Sequence, residues 1–224
     1  MIDETLSYTL DCCPDCGGDL LFWRQAEPRV IQQAELLAKP LRVTEHRAGG
    51  YWCPKCRRVH YAPLHAAVEQ TGLFGPKLTT LVAFMKGVCH ASFSRIRKFL
   101  RDVTGIKVSR GYLARLIAKV SRGLGTAYEE LLARLPGEAF LKIDETGHRE
   151  NAKKFWTWCF RAELYTLFRI QPTCSEAGRR WCERIWTTIA TCVQQGRSAF
   201  EFLLETVQAH IRAAPPPSLL PSGS

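Results

Sequence analysis

The sequence predicts an α+β chain built from several small domains, and three observations carry that expectation. Two Cys-x-x-Cys pairs stand near the amino terminus, Cys13-Pro-Asp-Cys16 and Cys53-Pro-Lys-Cys56. Between Gly72 and Leu135 lie 12 Lys or Arg against 3 Asp or Glu, a surplus of 9 out of a net charge of +10. Further on, the apolar run Phe140-Leu-Lys-Ile delivers Asp144 to a strand end, and Lys154-Phe-Trp-Thr-Trp-Cys-Phe-Arg161 follows. A chain of 224 residues can hold one medium domain or a few small ones, and so local a charge favours the second. The divisions expected are a zinc-binding segment at 1–70, a basic helical segment at 71–136 and the start of a strand-rich core at 137–171. Two helices at 172–213 and a disordered tail at 214–224 complete the chain.

The segments on either side of the basic middle are close to neutral. Residues 1–71 carry 8 basic and 9 acidic side chains, and residues 136–224 carry 11 and 9. Only the middle attracts polyanions strongly, which makes double-stranded DNA the natural partner and an anionic membrane surface a poorer one. No apolar run approaches the roughly 20 residues needed to span a bilayer, and no secretory leader pattern appears at Met1. A reducing, cytoplasmic, nucleoid-associated setting is expected. Cys89, Cys159, Cys182 and Cys192 fall within apolar patterns and are expected to be buried packing residues.

In the first segment each Cys-x-x-Cys turn can aim two thiolates at one ion. The set Cys13, Cys16, Cys53 and Cys56 then makes a closed tetrahedral site, which suits structural zinc and leaves no open position for catalysis. Cys12 can replace Cys13, and His46 or His60 can compete as ligands, although surface or packing roles suit both histidines. Arg29 to Leu37 and Leu41 to Glu45 are expected to form a helix or strands between the two turns. So few large apolar side chains mean that the first 62 or so residues need the metal to fold.

The basic segment reads as helices. Pro76 opens one with Leu78, Leu81, Val82, Met85 and Val88 on a single face. Ser92 caps a second, with Phe93, Ile96, Phe99 and Leu100 inward and Arg95, Arg97, Lys98 and Arg101 outward, and Thr104-Gly105 breaks it. After Lys107, Ser109 caps a third, with Tyr112, Leu113, Leu116, Ile117 and Val120 inward and Arg110, Arg115, Lys119 and Arg122 outward. Two amphipathic helices around a glycine-containing break form a helix-turn-helix pattern, so these nine basic residues are the candidate DNA contacts. Ala127 to Leu135 adds a connecting helix, stopped by Pro136-Gly137.

In the next segment Phe140, Leu141 and Ile143 read as a buried strand and Gly147 to Ala152 as a turn. Phe155 to Phe160 returns with Trp156, Trp158 and Phe160 on one face, and Leu164 to Ile170 forms a third strand. A three-strand meander with an Asp on its first strand is how a ribonuclease-H-like fold begins. There, carboxylates from separate strands converge on two divalent metals. No aspartate follows Asp144, so any mechanism needing a second one cannot be completed by the residues after it. Ser175 to Gln195 reads as a helix with Trp181, Cys182, Ile185, Trp186, Ile189 and Val193 apolar, and Ser198 caps another over Ala199 to Ile211.

Taken together, the cysteine pairs, the basic helices, the Asp144-Glu-Thr-Gly strand end with its Trp-x-Trp, and Trp181-Cys-Glu-Arg-Ile-Trp through Ser198 resemble the insertion sequence 66 family of bacterial transposases over nearly all of residues 12–220. The resemblance implies a four-cysteine zinc-ribbon-like segment, a helix-turn-helix segment and a DDE catalytic core that cuts element ends and joins them to target DNA. It matches Asp144 to the first catalytic carboxylate, with Mg2+ or Mn2+ as the metal of intact members, and Cys13, Cys16, Cys53 and Cys56 to the zinc ligands. It also implies an internal deletion. Gln171-Pro-Thr-Cys-Ser-Glu-Ala-Gly-Arg-Arg180 already resembles the family's carboxy-terminal segment, so the core carrying the second Asp and the Glu is missing. Glu176, Glu183, Glu201 and Glu205 remain as helical surface acids. The expected fold is thus a truncated ribonuclease-H-like meander followed by two helices, left with exposed apolar surface or repacked as a reduced domain. Three readings follow: a DNA-binding remnant without cleavage, a residual metal-dependent nuclease, and a regulator that binds element ends, itself or a full-length transposase.

Overall fold

The computed structural model describes residues 5, 7, 15–16, 30–32, 40–64, 66–150, 153–171 and 176–221. Its contacts divide the chain into two units, Met1–Pro40 and Leu41–Ser224. In the first, Asp15 and Cys16 lie in an exposed turn; Cys12 and Cys13 fall outside the described residues.

The second unit begins with nine residues, 41–49, in no regular structure. The helix or strand expected over Leu41 to Glu45 is therefore not formed; the segment has no apolar periodicity and Val43 is 85 % exposed. Of the other stretch expected to be regular, Arg29 to Leu37, residues 30–32 are in no regular structure and the rest lies outside the described residues. Strands β1 (Gly50–Cys53) and β2 (Arg58–Tyr61) then form an antiparallel hairpin. Helices α1 (Ala66–Thr71), α2 (Pro76–Gly87), α3 (Phe93–Thr104), α4 (Arg110–Gly123) and α5 (Gly125–Arg134) follow, the last ending in a 3-10 turn at Leu135–Gly137. The caps are those the sequence dictates. Ser92 Oγ accepts from Arg95 N at 3.2 Å, Ser109 Oγ from Tyr112 N at 3.0 Å, and Gly105 takes the left-handed φ of 74° that ends α3.

Strands β3 (Lys142–Glu150), β4 (Lys153–Arg161) and β5 (Thr166–Gln171) make one antiparallel sheet in the order β3-β4-β5. The turn expected from Gly147 to Ala152 is shorter: Gly147 to Glu150 continue β3, paired to Trp156 through Lys153. Phe140 and Ile143, read as buried in one strand, are 67 % and 56 % exposed: Phe140 precedes β3, and Ile143 lies on that edge strand. Helices α6 (Glu176–Gln194) and α7 (Ala199–Arg212) close the fold.

A single apolar cluster runs from Phe74 through the helices and β5 to Leu219. Helix α2 packs against α7, α4, α3 and α6. Its small residues Thr79, Thr80, Ala83 and Gly87 are therefore buried as well as the Val82 of the expected face. A Cβ on Gly87 would lie 2.4 Å from Ile185 Cγ1, so only glycine permits this approach of α6. The two terminal helices have found partners within the chain, not with the three strands alone, as a reduced domain would have it, but on β5 and on α2 and α4 as well. Residues 214–221, read as a frayed tail, bury Leu219 to 1 % exposure, and Ser218 Oγ donates to Glu130 Oε2 at 2.7 Å.

Helix α6 covers the outer edge of β5 through polar side chains. Ile170 N donates to Glu183 Oε1 at 2.8 Å, Phe168 N to Thr187 Oγ1 at 3.0 Å and Thr166 N to Thr191 Oγ1 at 3.2 Å. Four helical residues rise about 6 Å and two strand residues about 6.8 Å, so an i, i+4, i+8 stripe can track alternate residues of a strand. Gln194 extends the cover by donating to the Ala162 and Glu163 carbonyls at 2.8 and 2.7 Å. Glu183, expected as a surface acid, is instead 6 % exposed, and Val193, expected on the apolar face, is 73 % exposed. The stripe that meets the sheet is the polar one, because the edge presents unpaired N–H groups.

Candidate metal centre and nucleic-acid interface

The β1–β2 hairpin builds a small thiol cluster. Cys53 ends β1, Cys56 lies in the turn, and the register pairs Tyr51 with His60 and Cys53 with Arg58, placing His60 and Cys53 on one face. One ligand atom from each of Cys53, Cys56 and His60 lies within 4.8 Å of the others, the only such group of three among the described residues. Arg57 takes a φ of 51°, and its N–H donates to the Cys53 carbonyl at 2.8 Å, which closes the turn that carries Cys56. The equivalent position after Cys16 is Gly17, a residue at ease with positive φ.

The Cys56 N–H lies 3.4 Å from Cys53 Sγ. This bond first, then the Cys56 side chain and the Lys55 N–H, lower the Cys53 thiol below its ordinary value. The thiolate is the form a metal takes. Two thiols and an imidazole, held by N–H groups aimed at sulfur, are a donor set that suits zinc. His60 also accepts from Arg58 Nε at 3.3 Å; it is exposed, as expected of a surface residue, and still has a ring nitrogen close to both thiols. Its signal in the sequence is its position four residues after Cys56, at the point where a short hairpin returns. The hairpin has no core of its own: Tyr51, Trp52 and Tyr61 are 68 %, 61 % and 73 % exposed.

The nine basic residues singled out in the sequence lie on α3, α4 and the intervening turn, but they are not equivalent. Arg95, Lys98, Lys107, Arg110, Arg115 and Arg122 are exposed. Arg97 Nε donates to the Val108 carbonyl at 2.8 Å and so holds the turn, while Arg101 Nε contacts Asp102 Oδ1 at 2.6 Å. The Arg101 hydrogen bond holds the Asp102 carboxyl below its usual range. Lys119 is half-buried and donates to the Gln70 carbonyl, and burial, then the Arg122 charge, lower its pKa. It acts as a tie between α4 and the end of α1 rather than a presented cation.

Asp144 is exposed on β3 opposite Cys159, and its Oδ1 accepts from Glu145 N at 2.9 Å. Burial, then the Asp144 charge, raises the Cys159 thiol. Asp144 joins no group of three potential ligands among the described residues, so the site does not fit a two-metal centre. Glu183 is committed to the Ile170 N–H, with Arg179 Nη1 4.0 Å away. Of the cysteines expected to be buried, Cys192 is, and burial pushes its thiol up to about 11. Cys159 and Cys182 are half-buried, and Cys89 is exposed just beyond α2, where the helix face no longer covers it.

A family model described as Transposase IS66 family matches residues 71–214, more than half of the chain. The chain belongs to the IS66 family of transposases. A second model, the zinc-finger binding domain of transposase IS66, matches residues 11–57. No curated protein and no solved structure matches the chain. The zinc-finger match of this IS66 chain contains Cys13, Cys16, Cys53 and Cys56 and stops three residues short of His60. The transposase match takes in the basic helices, the sheet and α6 and α7 as one stretch, and these elements share one core that extends beyond the match to Leu219. Among the described residues no helix is long and apolar enough to cross a membrane.

Proposed function

We propose that this IS66 protein binds zinc and double-stranded DNA, including the ends of its own element, but does not cut DNA. In this reading Cys13, Cys16, Cys53 and Cys56 hold a structural zinc, with His60 the competitor for Cys13 or Cys16. Residues 1–70 are the metal-dependent segment. Residues 71–136 carry a helix-turn-helix made by α3 and α4, with the exposed basic side chains as its phosphate and base contacts. Residues 137–171 are the start of a ribonuclease-H-like core, and 172–213 are helices that now cover it.

One observation carries the loss of cleavage. Asp144 is the first carboxylate in the family pattern, and the stretch from Glu145 to Ser224 holds no aspartate, although the family match continues to residue 214. Phosphodiester cleavage by paired metals needs several converging carboxylates, and a single one stabilises little of the transition-state charge. The use of Glu183 to cap β5 supports the same reading, since it removes the buried acid from chemistry. The test is a supercoiled-plasmid nicking assay with Mg2+ or Mn2+. No nicking above the Asp144→Ala variant is expected; metal-dependent nicking that this variant abolishes would contradict the proposal. The retention of exposed basic residues beside a solitary Asp144 also favours a regulatory role, in which the protein occupies element ends and excludes an intact transposase. Lower transposition on co-expression with an intact relative is the expected sign, and unchanged transposition would refute it.

A further inference from the structure

The two edges of the β3-β4-β5 sheet differ. The β5 edge is closed, because Glu183, Thr187 and Thr191 take its outward N–H groups. The β3 edge has no neighbouring strand among the described residues. It contains no proline, and its register with β4 runs without a bulge from Lys142 to Glu150; the guard it does carry is charge, Lys142, Asp144, Glu145, Arg149 and Glu150, so a partner strand must match that pattern. Beside it stand two large apolar side chains, Phe140 at 67 % and Ile143 at 56 % exposure.

We propose that this edge is a dimerisation surface, pairing antiparallel with the same edge of a second copy so that Ile143 meets Ile143 at the two-fold axis. The register follows from charge. With Ile143 on the axis, Lys142 of each copy lies opposite Asp144 of the other, twice by symmetry. Moving the axis to Lys142 or to Asp144 sets like charges directly across from one another, which is unfavourable. The chosen register pairs the exposed isoleucines with each other and both charges with their opposites. Directly opposite residues in an antiparallel ladder share a face, so these contacts form without disturbing β4. The result is a continuous six-strand sheet, bounded at both outer ends by the α6 caps. This inference stands apart from the DNA-binding reading, because it uses no basic helix and no zinc ligand.

The test is sedimentation equilibrium of the full zinc-loaded chain, with circular dichroism to establish that each variant is folded. A concentration-dependent dimer is expected. Lys142→Glu and Asp144→Lys should each weaken it about tenfold or more, and the combined swap should restore it to within about threefold of wild type. Ile143→Cys should give more oxidised covalent dimer than wild type, whose own exposed thiols include Cys89, since Cα atoms facing each other across the axis lie within disulfide reach. A chain that stays monomeric at high micromolar concentration would overturn the proposal. So would a dimer indifferent to both single charge reversals, or single-variant losses that the swap does not repair.

Discussion

Arg110 and Lys119 sit on the same helix and read alike in the sequence, yet their surroundings give them different work. Arg110 is exposed in the first turn of α4, whereas Lys119 is half-buried and donates to the Gln70 carbonyl. A phosphate contact made by Arg95 or Arg110 contributes through counterion release. Its removal by alanine should weaken DNA binding severalfold at moderate salt and reduce the salt slope by about 1. Lys119→Ala should leave that slope unchanged and lower the unfolding midpoint instead; fluorescence anisotropy and urea denaturation separate the two. The zinc ligands are also decided residue by residue. Cys53→Ser should abolish bound zinc, as measured by metal analysis, and unfold the hairpin; a zinc content that survives this change would dismiss the site. His60→Ala leaves zinc in place if four cysteines hold it, and removes it if the imidazole is a ligand. The serine caps and Gly105 were legible in the sequence because each acts within a few residues of itself. The place of His60 was not, because it depends on the pairing of Tyr51 with His60 across the hairpin.

At the scale of elements, periodicity located every helix from α2 to α7 to within a few residues, since caps and apolar spacing are local. It failed where an element's neighbour was unknown. Phe140 and Ile143 carry the pattern of a buried strand, but Phe140 precedes β3 and Ile143 is exposed on that edge strand. Helix α6 shows the converse: its stripe of Glu183, Thr187 and Thr191 reads as solvent-facing until β5 is placed beside it. Thr187→Val keeps the shape but leaves the Phe168 N–H without its acceptor. A loss of about 1–3 kcal/mol in urea unfolding is expected. A variant as stable as wild type would show that the helix covers the edge by packing alone.

Across the whole molecule, the interruption implied between β5 and α6 does not leave the core open. The helices that follow it pack on α2 and β5, and Leu219 completes the apolar cluster. The residues that would bind DNA and the single candidate carboxylate thus share one folded body. The family was legible because its motifs are local: paired cysteines, capped basic helices and Asp144-Glu-Thr-Gly. The closure was not, because it rests on contacts between segments far apart in the chain, such as Gly87 against Ile185. The central claim is that DNA recognition persists without cleavage. Its most direct test is binding of the zinc-loaded protein to fragments flanking its own gene, against scrambled duplex, in a salt series followed by fluorescence anisotropy. A preference of about a hundredfold or more for an end fragment is expected. Equal, steeply salt-dependent binding to every fragment would contradict it, leaving a basic surface without recognition.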